Sequence, residues 1–77
     1  MMGDKTIDLH RTLFELTEEY PELIDIFFEI GLEGVIHPEM RSTGGKIMPV
    51  IEGLKQHGVV LEDAVKTLEN KGFSVSY

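Results

Sequence analysis

His37, Arg41, Thr43, Gly44, Gly45 and Lys46 bring cationic and hydroxyl side chains around a glycine pair, just ahead of a helical pattern. A loop of this kind can turn backbone N–H groups toward an anion at a helix N-terminus, with the cations holding the charge. The chain has 14 acidic and 7 basic residues, a formal charge of −7. Within it, this is the one stretch where basic residues meet glycines ahead of a helix, and it is the candidate site for an anion or another small ligand. It is not a nucleotide-binding P-loop. Lys46 is followed by Ile47 rather than Ser or Thr, and no glycine stands five residues before Gly45. The plainer reading is a loop whose glycines only permit positive φ.

Other chemistry has less to build on. A nucleophile relay needs a Ser, Thr or Cys beside an oriented base. Ser42 and Thr43 lie five and six residues from His37, but the same residues are ordinary turn formers. A metal site would draw on His10, His37 and His57. No two of them have the i, i+4 spacing that puts paired imidazoles on one helix face. No metal and no cofactor is expected, and no catalytic residue is assigned; the chain reads as non-enzymatic.

The element that must position these residues is the stretch from Tyr20 to Gly31. Pro21 suits a first helical position and Gly31 a stop just past the end. Leu23, Ile26, Phe27 and Ile30 share one face, while Ile24 and Phe28 cover most of the other. Only Glu22, Asp25 and Glu29 form a polar line, which reads as a solvated face sooner than as a docking strip. A helix apolar over most of its circumference is normally wrapped by neighbours. The expectation is a nearly buried central helix with the rest of the chain packed around it.

Around it, Thr6 to Leu9 reads as an extended lead-in. Leu9, Leu13, Leu16 and Tyr20 have helical spacing and predict a first helix over about His10 to Glu19. Pro21 bends the chain after it. Leu32 to Gly45 shows no sustained period and is long for a connection, with room for one helical turn at Glu39 to Ser42. Ile47, Val50, Ile51 and Leu54 mark one face of a third helix, regular from Pro49 to His57. Leu61, Ala64, Val65 and Leu68 mark the inner face of a fourth, stopped by Gly72. Phe73 to Tyr77 alternates like a strand, with Thr6 to Leu9 as the segment for it to pair with. The fold class is therefore all-α: one domain, residues 1–77, a compact array of four to five short helices with a minimal pairing of the two termini.

At 77 residues the core is small, worth no more than about 3–5 kcal/mol net. With no cysteine, neither disulfides nor thiolate metal sites add to it. Dimerisation is the remaining common source of stability, so a homodimer is one expectation. The acidic balance argues against nucleic acid and against an anionic membrane surface. No apolar run approaches the ~18 residues of a membrane span. The N-terminus lacks a basic segment followed by an apolar one, so the expected location is cytoplasmic.

Tyr20-Pro21-Glu22-Leu23, then Phe28, Gly31-Leu32 and later His57-Gly58 form a pattern that resembles a small bacterial family, the domain of unknown function eighteen fifty-eight. That family is similar to the N-terminal domain of ScdA-type iron–sulfur repair proteins. The resemblance spans about Lys5 to Gly72 and implies a compact array of short helices. Many members look like redox-disulfide domains, with a Cys-x-x-Cys after the glycine that ends the central helix. The matching positions here are Gly34 and His37, so thiol–disulfide chemistry is not carried over. Pro38, Met40, Thr43, Gly45, Lys46 and Met48 resemble a cysteine-free branch associated with hemerythrin-like and PAS-type sensory proteins. By association, the resemblance implies an accessory or protein-interaction module with an unidentified protein partner, in a redox or sensing context.

Overall fold

The computed structural model describes residues 5–77. Its elements in chain order are β1 (Lys5–Asp8), α1 (Leu13–Glu19), α2 (Leu23–Ile30), a 3-10 turn (Glu33–Ile36), α3 (Pro38–Ser42), α4 (Gly44–Ile47), α5 (Val50–Gln56), α6 (Leu61–Asn70) and β2 (Phe73–Ser76). The all-helical expectation holds, with the two termini paired as a short ribbon. That ribbon is parallel, with Lys5 opposite Phe73 and Asp8 opposite Ser76. A parallel pair needs a crossover connection, and here the entire helical array is the crossover.

The first helix starts later than its apolar spacing suggests. Asp8 Oδ1 accepts from the His10 N–H at 2.9 Å and holds a turn there. Thr12 and Glu15 then form a capping box, each side chain accepting the other's backbone N–H at 3.2 Å. Two donors that a helix start leaves without partners are thereby satisfied. At the far end of α1, Tyr20 leads into α2, which Gly31 ends at φ 133°. The Leu32 N–H returns to Phe27 O at 2.9 Å and the Gly31 N–H to Phe28 O at 3.2 Å, the pairing of a Schellman stop.

Leu23, Ile26 and Phe27 of α2 are buried among Ile7, Leu9, Leu16, Leu54, Leu68 and Phe73. Ile24 and Ile30 pack half-buried against the same core. The wrapping expected of this helix is broken at Phe28, which is 44% exposed. Glu22, Asp25 and Glu29 face solvent. Glu22 pairs with Lys5 at 2.6 Å and Glu29 with Lys71 at 3.6 Å, so part of the acidic line ties the helix to the chain's two ends. Tyr20 meets Phe73 edge-on at 5.4 Å. Thr17, the one buried polar residue among those described, donates to Leu13 O at 2.9 Å and so carries no unmet donor into the core.

The stretch from Leu32 to Gly45 is more ordered than its aperiodic sequence suggests. It folds into the 3-10 turn, α3 and the start of α4. Each lasts about one turn, too short for a 3.6-residue period to register. Pro38 stands at the first position of α3, where its missing N–H costs nothing. Ile47 does not join the buried face of the third predicted helix. It ends α4 and is 82% exposed, because Met48 and Pro49 break the run and α5 begins at Val50. The start of α5 is instead held by the segment that precedes α1. The Val50 N–H donates to Arg11 O and the Ile51 N–H to Leu9 O, both at 3.0 Å.

Candidate functional site

The residues that suggested an anion loop are not drawn to a common point. Arg41 Nη1 donates to the Val35 carbonyl. The Thr43 hydroxyl donates to Glu39 O at 2.8 Å, and Lys46 Nζ sits 4.8 Å above the centre of the Phe14 ring. These contacts are internal to the arm formed by the 3-10 turn, α3 and α4, or to its seat on α1. His37 is exposed, and its carbonyl accepts from the Met40 and Arg41 N–H groups, at 3.0 and 3.2 Å, to open α3. Gly44 and Gly45 lie inside the first turn of α4, neither at positive φ.

The arm instead builds one wall of an apolar cleft. Its volume is about 210 Å³. Leu13, Leu32, Val35 and Val50 form the floor and walls, and Met40 and Met48 flank it. Gly34, Gly44, Gly45 and Gly53 also line it, and the polar residues on its lining are Gln56 and His57. Of the residues singled out from the sequence, Gly34, Gly44, Gly45, His57 and the motif residues Met40 and Met48 line this cleft, while His37, Arg41, Thr43 and Lys46 do not. Gly34, the first position of the matching thiol pair, faces Met40: a Cβ there would lie 3.7 Å from Met40 Cε. His37, the second position, lies away from it.

Sequence reasoning missed Met48, Gly53, Gln56 and His57 as cleft residues. The available signal was Gly53, a helix-interior glycine with no turn to make, followed by a polar pair at the end of α5. Among the described residues no three His, Asp or Glu side chains gather as a metal-ligand set. No helix of the described residues is long and apolar enough to cross a membrane.

The model of the family described as a domain of unknown function, DUF1858, matches residues 7–65. A crystal structure of a conserved domain protein from Streptococcus pneumoniae TIGR4 superposes with a TM-score of 0.91. It is 31% identical in sequence, and the alignment covers 97% of this chain and 95% of that one. No curated protein matches.

Proposed function

The chain belongs to the DUF1858 family, and from that premise we propose that it is a non-catalytic interaction module that docks a protein partner through the arm formed by the 3-10 turn, α3 and α4. The observation that carries this reading is the exposure of three large aliphatic side chains on consecutive short elements. Ile36 is 44% exposed, Met40 54% and Ile47 82%. The core residues of α1, α2, α5 and α6 are by contrast buried almost completely. Single exposed apolar residues are common on soluble proteins. Three on one arm, with Met40 also lining the apolar cleft, have the makeup of a contact surface. A redox or sensing context is the setting proposed for this module, and a second copy of the chain is one partner the arm suits.

Photo-crosslinking tests the reading. A benzophenone side chain at Ile47 should give a discrete adduct in cells that express the protein at native level. The same probe at Glu62, on the exposed face of α6, should not, and Ile36→Glu should suppress the Ile47 adduct. The adduct's mass separates a second copy from a different protein. Equal yields at the two positions, or none at Ile47, would overturn it.

A further inference from the structure

The glycines of the cleft hold an inference independent of the docking reading. Gly45 has a local reason to be glycine, since a Cβ there would lie 3.2 Å from the Met40 carbonyl oxygen. Gly34, Gly44 and Gly53 have none. Positive φ is confined to Gly31, Gly58 and Gly72 among the described residues, so an L side chain fits the backbone at all three. A Cβ at Gly34 would meet Met40 Cε at 3.7 Å, and one at Gly53 would meet Met48 Sδ at 3.7 Å. These are ordinary van der Waals contacts, and at Gly44 nothing lies within 4 Å. Glycine inside a helix is less stable than alanine, and Gly44 and Gly53 are both helical. Three residues that neither the backbone nor their neighbours require therefore line one cavity. Side chains at Gly34 and Gly53 would project against the cleft residues Met40, Met48 and Leu32 and narrow it.

We propose that this cleft is a binding site for a small neutral molecule with an apolar body and one hydroxyl or carbonyl group. Its volume of about 210 Å³ exceeds the ~150 Å³ of an engineered cavity that takes up benzene. That leaves room for a single ring or a short branched chain rather than a drug-sized ligand. The lining is aliphatic and thioether, which disfavours a charged body. Gln56 and His57, at the end of α5, supply the donor and acceptor that orient one polar group. Met40 and Met48 supply unbranched, polarisable walls that adapt to the guest's shape.

The test uses cyclohexanol and phenol as probes, titrated into the full chain carrying labelled methionine methyl groups. Saturable shifts are expected at Met40 and Met48, with intermolecular Overhauser contacts from the probe to the Met48 and Val50 methyl groups. Gly34→Ala with Gly53→Ala removes room for about two methyl groups and should weaken binding roughly tenfold, with the amide spectrum still that of the folded chain. Non-saturating shifts, or the same affinity in the folded double variant, would refute the site. Should the double variant not fold, the Overhauser contacts in the native chain decide: contacts to Met48 and Val50 uphold the site, and their absence rejects it.

Discussion

The ammonium group of Lys46 lies 4.8 Å from the centroid of the Phe14 ring, so a residue of α4 is seated on a residue of α1 by its charge. Neither Arg41 nor Lys46 has a carboxylate partner among the described residues, although the chain carries twice as many acids as bases. The aromatic face takes that role for Lys46. A cation over an exposed ring is worth about 0.5–1 kcal/mol. Lys46→Met keeps most of the stem and loses the charge. It should cost about 0.5 kcal/mol in chemical denaturation and speed amide exchange from Gly44 to Met48. Unchanged exchange there would mean that the arm is held by packing alone.

Two glycines should respond in opposite directions to alanine. Gly53→Ala should stabilise the chain by about 0.5–1 kcal/mol, since the backbone is compatible and the unfolded state loses freedom. Gly31→Ala should destabilise it by more than about 1 kcal/mol. Gly31 sits at φ 133°, and a Cβ there would lie 3.1 Å from Val59 Cγ2. Urea midpoints of the two variants, measured beside the parent chain, check both signs.

The capping box gives a local prediction. Thr12→Ala removes the oxygen that accepts the Glu15 N–H and should cost about 1 kcal/mol. Thr12→Ser should recover most of it. Thermal unfolding followed by circular dichroism would read both, and equal losses for the two substitutions would place the effect in the threonine methyl instead.

Phe27 and Leu68 are fully buried and share the core between α2 and α6. Leu68→Ala should cost about 2–5 kcal/mol and Phe27→Ala about 3–5 kcal/mol. A chain of this size has only about 3–5 kcal/mol in total. Phe27→Ala should therefore give a collapsed amide spectrum at 25 °C, whereas Met40→Ala, at an exposed position, should leave it dispersed.

The Lys5–Glu22 pair sets an acid-side dependence. The hydrogen bond from Lys5 Nζ, at 2.6 Å, holds the Glu22 carboxyl below the usual glutamate range. A carboxyl whose folded pKa is depressed adds stability above its unfolded pKa and loses it as pH falls through the folded value. The tie between β1 and α2 should therefore hold at neutral pH and be released in the acid range below the usual glutamate value. Carbon-detected titration of Glu22 should show the depressed midpoint, and Lys5→Ala should return it toward normal. Both groups are about half exposed, so salt should weaken the effect.

The parts of the fold with long periods were legible in the sequence. α2, α5 and α6 show repeated apolar positions and glycine stops, and their inner faces fall where the spacing puts them. The Leu32–Gly45 stretch was not, because a one-turn element leaves no period. Ile47 was misplaced for a related reason: its spacing to Val50 and Leu54 is helical, but the Met48–Pro49 break separates it from α5. The anion loop was legible as composition only. Where Arg41 and Lys46 point is decided by Val35 O and Phe14, partners six and thirty-two positions away in sequence. Gly53 lies inside the helical stretch from Pro49 to His57, but a cleft exists only once Leu13, Leu32 and Met48 have been folded against it.

The parallel ribbon of the two ends has a mechanical consequence. β1 and β2 run the same way, so the chain enters the ribbon at Lys5 and leaves it beyond Ser76, at the opposite end. Tension applied through the two ends would pull the strands lengthwise past each other and load their cross-links together, whereas an antiparallel pair tied at one end opens one link at a time. The domain would thus resist stretching along its own chain better than its size suggests, and fail abruptly.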